Sequence, residues 1–172
     1  VLSDDEVATL IESSKALEMA GVNIYNCSGQ SAESVAMQML VSPHTVCIVD
    51  HMQKFRGKDL RQAVGDASAL FASVADRKDK VVIMCSQLNR NLEKENREPN
   101  FSDLKEAGEI EQDADTIIFI HTDPTEKDCD HVKAKLIIAK RRDGETGFCS
   151  VEWDKSTAKF YNHYEPNEEP GF

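Results

Sequence analysis

Residues 45–55 read TVCIVDHMQKF. The run Val46-Cys47-Ile48-Val49 is apolar and mostly β-branched, which is the pattern of a buried strand, and it stops at Asp50. A carboxylate delivered at the C-terminal end of such a strand can hold a hard cation such as Mg²⁺, directly or through a coordinated water. Taken alone, Asp50 reads first as a cap for the turn that follows, and only second as a metal ligand. His51 has no partner visible in the sequence and reads as structural or solvent-exposed.

Upstream, Ser3-Asp4-Asp5-Glu6 is a capping box with acids in the first turn of a helix. The helix is expected to run through VATLIESSKALEMA and to stop near Gly21. VNIY, Val22–Tyr25, reads as a short strand. SAESVAMQML reads as a second helix capped by Ser31, and Pro43 breaks the chain before the strand that ends in Asp50.

Downstream, Ala63, Val64, Ala67, Leu70, Phe71 and Val74 recur at helical spacing, predicting a helix over about Asp59 to Arg77. KVVIMCSQ, Lys80–Gln87, is a wholly apolar strand up to its polar end and is expected to be buried on both faces. LNRNLEKENREPNF, Leu88–Phe101, is charged and aperiodic; a loop of that length in a compact domain is functional or disordered. SDLKEAGEIEQDAD starts at Ser102 as an N-cap, and Gly108 argues against one continuous helix. TIIFIHT is a third apolar strand, and DPTEKDCDH an exposed turn. VKAKLIIAK, GFCSVEWD and AKFYNH are three further strands, the first two forming a hairpin through RRDGETG.

The order is βαβαβ followed by a meander. It predicts an α/β domain with a largely parallel sheet flanked by helices and an antiparallel C-terminal extension. Ligands on such sheets bind at the carboxyl ends of the strands, where Asp50, Gln87 and the residues after Ile120 lie. Residues 1–164 make one domain. Residues 165–172, EPNEEPGF, form an acidic tail expected to be disordered.

The bulk chemistry narrows the classes. The 172 residues carry a net charge of −11 and have a pI near 4.9, which argues against a broad, non-specific nucleic-acid footprint but not against a few DNA-holding loops in a ring. No apolar run is long enough to span a membrane. The five cysteines are widely spaced without a CxxC pair, so neither a zinc site nor a disulfide framework is supported, and a reducing, intracellular setting is expected. Ser86-Gln87 puts a neutral amide at a strand end, where it can hydrogen-bond a terminal phosphate or simply leave the sheet. Lys140, Arg141 and Arg142 form a cationic hairpin tip, able to reach another molecule's phosphate or simply solvated. No GxxxxGK[ST], GxSxG, HExxH or GxGxxG occurs.

CIVDHMQKF, VVIMCSQLNR, SDLKEAGEIEQDADTIIFIHTD and LIIAKRRDGETG, in this order and at these separations, resemble the C-terminal RecA-like ATPase domain of DnaB-type replicative helicases. The resemblance covers about Val46 to Phe160; before Pro43 only the helix–strand–helix pattern matches. It implies ATP and Mg²⁺ as cofactors, with Asp50 as the aspartate that holds Mg²⁺ through water. Gln53 falls on the family's glutamine after that aspartate. Gln87 matches the glutamine that senses the γ-phosphate and couples it to DNA-binding loops. Lys140 and Arg142 match a pair offered to the ATP of the neighbouring subunit, with Arg141 between them less involved. Lys105, Glu106 and Gly108 match a loop that grips the phosphates of single-stranded DNA through main-chain N–H groups, which reconciles an acidic chain with DNA binding. The charged loop from Asn89 to Phe101 would lie near the same channel. Implied partners are copies of itself in a hexameric ring, single-stranded DNA, and primase and a helicase loader, in the cytoplasm of a bacterium or a phage-infected cell.

The sequence departs from the family where a phosphate-binding loop and a catalytic glutamate would precede this segment. The expectation is a partial copy: a fragment, a truncated form, or half of a split protein. Such a chain is expected to lack ATPase and unwinding activity by itself and to expose apolar sheet surface that drives non-native dimers. Two other readings stand beside it: a non-helicase ATPase of the RecA superfamily, and an adaptor or subunit module that has lost its phosphate-binding loop.

Overall fold

The computed structural model describes residues 2–55, 59–78, 80–89, 92–95, 97–104, 107–122 and 130–162. Lys105 and Glu106, expected in a DNA-gripping loop, lie outside them, as do residues 123–129 of the expected turn and the acidic tail.

Helix α1, Asp4–Met19, begins at the expected capping box: Glu6 N donates to Ser3 Oγ at 3.3 Å, and Ser3 N donates to the Glu6 carboxylate at 2.7 Å. Those donors hold the Glu6 carboxyl below its ordinary pKa. The helix ends through Gly21, whose φ of +67° suits the left-handed position after a helix. No residue of α1 is buried; Leu10, Ile11 and Leu17 are exposed. VNIY forms no strand, because no neighbouring strand offers its backbone a ladder among the described residues. Helix α2, Ala32–Val41, starts at Ser31 as expected, with Ser34 N donating to Ser31 Oγ.

Strands β1, Val46–Val49, and β2, Val81–Met84, pair in parallel, with Val46 opposite Val81 and Ile48 opposite Ile83. Helix α3, Leu60–Lys78, makes the crossover between them. The inward residues Cys47, Val49, Val82 and Met84 pack on a core built by α2, α3 and Ile110, centred on Phe71 and Met52, both fully buried. Phe55 meets Phe71 with ring centroids 5.5 Å apart. The other face differs from expectation. Val46, Ile48, Val81 and Ile83 are 47–67% exposed, so the β1–β2 pair is covered on one side only.

The charged stretch after Gln87 is not a featureless loop. It holds a short helix α4, Leu92–Glu95, and a 3₁₀ turn at Phe101–Asp103. Ser102, expected to cap a helix, lies inside that turn, whose cap is Asn100: Ser102 N and Oγ both donate to Asn100 Oδ1. The Asn100 side-chain oxygen reaches forward over the turn while Asp103 accepts the Asn100 N–H, completing a reciprocal box. Helix α5, Ala107–Asp113, includes Gly108. It packs on α3 at Gly65, where a Cβ would sit 3.1 Å from Glu109 Cγ.

The expected antiparallel extension is a four-stranded sheet in the order β3–β4–β5–β6: Thr116–Thr122, His131–Arg141, Gly147–Asp154 and Lys159–Asn162. Strand β3 takes its ladder from β4, with a bulge between Ile117 and Ile118, so parallel pairing is confined to β1 and β2 among the described residues. A second small core of Leu104, Ile117 and Phe119, with Leu88 and Phe101 packed against it, joins the loop after β2 to this sheet.

Candidate functional site

The ladder places the ends of β1 and β2 side by side. Cys85 N donates to Val49 O at 2.9 Å, and Met52 N donates to Cys85 O at 3.0 Å. Asp50 and Gln87 therefore leave the sheet at the same rim, as the sequence suggested. The Asp50 carboxylate is 82% exposed and His51 Nδ1 lies 3.5 Å from its Oδ1. His51 thus turns its ring toward the residue just before it, and that ring is only 23% exposed.

One side chain ties the rim together. A 3₁₀ turn, Met52–Lys54, presents Gln53 to the end of β2. Its Nε2 donates to Ser86 Oγ at 2.9 Å, and its Oε1 accepts from Gln87 N at 3.3 Å. The amide orientation is fixed by chemistry, since a main-chain N–H can only donate. Sequence alone placed Gln53 three residues beyond Asp50 but showed nothing that it touches.

A hard, exposed, single carboxylate fits a Mg²⁺ ion that keeps most of its water and takes its other oxygens from a phosphate chain. No group of three or more metal-ligating side chains exists among the described residues. Asp50 would thus contribute one contact and would not form a cage. Gln87 is exposed, with its carboxamide available to a phosphate oxygen. No phosphate-cradling glycine loop accompanies them in the sequence.

Lys140 lies near the end of β4 in the other sheet, and Arg142 in the turn just past it. Lys140 Nζ donates to the main-chain oxygens of Glu111 and Gln112 at the C-terminal end of α5, a favourable place for a cation. Arg142 Nη1 lies 2.6 Å from Asp115 Oδ1, and Arg142 N donates to Asp115 O. Arg141 folds over its own turn; a Cβ on Gly144 would meet its Nε at 2.6 Å. Their partners thus lie at the end of α5 and the start of β3. Of the three residues expected to grip DNA, only Gly108 is described; it is exposed in the first turn of α5, with Arg61 Nη2 3.9 Å from where its Cβ would be.

The path from Gln87 to that segment is short in space. Leu88 and Leu104 form an isolated antiparallel bridge, and Asn89 N donates to Asp103 O at 2.8 Å. The intervening residues are gathered by Arg97, whose guanidinium grips the buried Asp103 carboxylate with two hydrogen bonds and also binds Glu95. Nothing in the sequence pointed to this knot, because two charged residues in an aperiodic stretch carry no spacing signal.

No helix among the described residues is long and apolar enough to cross a membrane. A family profile described as the DnaB-like helicase C terminal domain matches residues 1–162. The chain is 36% identical over 123 residues to the replicative DNA helicase DnaC of Bacillus subtilis, covering 67% of this chain and 27% of that protein. It is 33% identical over 126 residues to the replicative DNA helicase DnaB of Buchnera aphidicola, covering 69% and 28%. The chain thus spans little more than a quarter of the length of these two relatives. Among solved structures, it resembles an isolated ATPase domain with a TM-score of 0.72 at 29% identity, over 83% of this chain and 55% of that one. It also resembles a DnaB-like replicative helicase, studied for its interactions with primase, with a TM-score of 0.79 at 27% identity, over 95% and 42%. The sheet-and-helix arrangement is that of RecA-like helicase ATPase domains, and with the profile spanning nearly all of it the chain belongs to the DnaB-like helicase C-terminal domain family.

Proposed function

We propose that this chain is the portion of an ATP-driven replicative DNA helicase that carries one side of the nucleotide site and part of the DNA grip. The observation that supports this most is the shared rim: parallel pairing of β1 and β2 delivers the Asp50 carboxylate and the Gln87 carboxamide to adjacent strand ends.

ATP with Mg²⁺ supplies the free energy when bound. Asp50 would help hold the Mg²⁺ through its exposed carboxylate, and Gln87 would hydrogen-bond the terminal phosphate and register its loss. Lys140 and Arg142 reach the nucleotide of the neighbouring subunit, where positive charge stabilises the charge spread over the transferred phosphoryl group. Lys105, Glu106 and Gly108 hold the phosphates of one DNA strand in a central channel. The assembly is a hexameric ring in the cytoplasm, working with primase and a helicase loader.

Phosphoryl transfer depends on positioning and electrostatics, and this sequence contains neither phosphate-loop amides and lysine nor a matching catalytic glutamate. The 172-residue chain therefore does not turn over ATP unaided. The test is a ring assembled from complete subunits carrying these residues. DNA-stimulated ATP hydrolysis should be present and should fall by about 100-fold or more in Asp50→Ala. Steady ATP turnover by the purified chain alone, or a ring indifferent to Asp50→Ala, would refute the assignment.

A further inference from the structure

We propose that Gln53 is a positioning residue for Gln87. The main-chain ladder between β1 and β2 stops at the Met52–Cys85 bond. Two residues later comes Gln87, past the reach of the β1 ladder and just before the Leu88–Leu104 bridge takes hold. The Gln53 carboxamide takes over: it accepts the Gln87 N–H at 3.3 Å and donates to Ser86 Oγ at 2.9 Å. One planar amide thus extends the pairing of the two strand ends beyond their last main-chain bond, from the turn that follows Asp50.

The consequence is geometric. Gln53 stands in the turn just after Asp50, while Ser86 and Gln87 share one strand end. Locking the second to the first fixes the main-chain position from which Gln87 projects its carboxamide before any nucleotide arrives. An interaction that aligns a phosphate-contacting group, without itself touching the phosphate, acts on turnover more than on ground-state binding. This inference rests on the reading of Gln87 as the phosphate-contacting residue.

Gln53→Met keeps the side-chain length and removes both hydrogen bonds, whereas Gln53→Glu can accept from both the Gln87 N–H and the Ser86 hydroxyl. Residue-resolved amide exchange on the full chain described here reads the clip directly. In Gln53→Met the Gln87 amide should exchange at least about tenfold faster while the Cys85 amide, bonded to Val49 O, keeps its protection. Gln53→Glu should restore protection at Gln87. In the assembled ring, Gln53→Met should lower kcat for ATP by about tenfold with KM nearly unchanged. Unchanged exchange at Gln87 would overturn the proposal, because the bond would then not be holding it. Equal loss at Gln87 and Cys85 would also overturn it, since Gln53 would then support the whole sheet. A ring in which kcat and KM move together, or neither moves, would do the same. If the unaltered ring hydrolyses no ATP, the helicase assignment fails by itself, and the exchange comparison still decides the role of Gln53.

Discussion

The guanidinium of Arg97 and the carboxylate of Asp103 meet as a fork, Nη1 to Oδ2 at 2.6 Å and Nη2 to Oδ1 at 2.7 Å. Asp103 is buried, and its Oδ2 also accepts the Asn100 N–H. Hydrogen bonding to Arg97, first, and to Asn100 outweighs desolvation and holds the Asp103 carboxyl below the ordinary carboxylate range. Asp103→Ala would leave the guanidinium without its main partner and the Asn100 N–H without an acceptor, so the turn at 101–103 should loosen. The expected result is a lower thermal midpoint and faster proteolysis between residues 88 and 104. Glu98→Ala, which breaks only the exposed pair with Lys135, is the control and should change little. Equal effects from the two substitutions would contradict the central place given to this fork.

Asp154 supplies a second acid-sensitive joint. It is buried at the turn between β5 and β6 and accepts from the Thr157 and Ser156 hydroxyls at 2.7 Å each, and from both main-chain N–H groups. Those donors, Thr157 foremost, lower its pKa well below the usual range. A carboxyl with a depressed folded pKa stabilises the fold above its unfolded value of about 3.9 and loses that contribution as pH falls through the folded value. Asp103 acts in the same direction. Stability measured by urea unfolding should therefore be flat above about pH 5 and decline below about pH 4. Asp154→Asn should lower stability at neutral pH and make the acid decline shallower; an unaltered acid slope would show that Asp154 is not a contributor.

The same turn contains Ala158 with φ of +54°, a left-handed conformation that costs a residue with a Cβ about 1–2 kcal/mol. Glycine relieves the strain but loses more chain entropy on folding. Ala158→Gly should raise stability by roughly 0.5–1 kcal/mol, and Asn, which tolerates this region, should do as well. Destabilisation by both would mean that the turn does not hold this geometry in solution.

Val46, Ile48, Val81 and Ile83 form one aliphatic face of the β1–β2 pair, open to water. Uncovered aliphatic sheet surface favours association. The chain should sediment with an apparent mass that rises with concentration. Ile48→Ser with Ile83→Ser should reduce that rise without unfolding the chain, because the core side of both strands is untouched. A monomer at every concentration would sink this expectation.

Periodic, apolar segments were legible from the sequence, and so were the ends they deliver. The face of α3 carrying Val64, Ala67, Phe71 and Val74 is the buried one, and Asp50 and Gln87 emerge where apolar strands stop. What was not legible depends on neighbours. VNIY has strand composition but no partner among the described residues, and KVVIMCSQ has the composition of a doubly covered strand with one face bare. The caps show the same limit: Ser31 starts α2 as expected, but Ser102 lies inside a turn capped by Asn100, which Asp103 answers. Gln53 and Arg97 had no periodic signature, since their roles depend on which main-chain groups the fold leaves unpaired.

The Arg142–Asp115 pair bears on how the ring would work. Its 2.6 Å contact joins side chains that are 56% and 65% exposed, and exposed pairs of this kind contribute little to stability. The guanidinium can therefore exchange Asp115 for a phosphate on a neighbouring subunit at small cost. In a ring, Arg142→Ala and Asp50→Ala should each abolish ATP hydrolysis, by different routes. A subunit with Arg142→Ala keeps its own Asp50, and a subunit with Asp50→Ala keeps an Arg142 to offer. When the two are mixed in equal amounts at random, roughly a quarter of the interfaces join an intact Asp50 to an intact Arg142. Hydrolysis should reappear at a corresponding fraction of the unaltered rate where sites fire independently, and at less where they must fire in sequence. Rings mixed from the two variants that stay silent, while each variant still assembles with unaltered subunits, would show that Arg142 does not act across the interface.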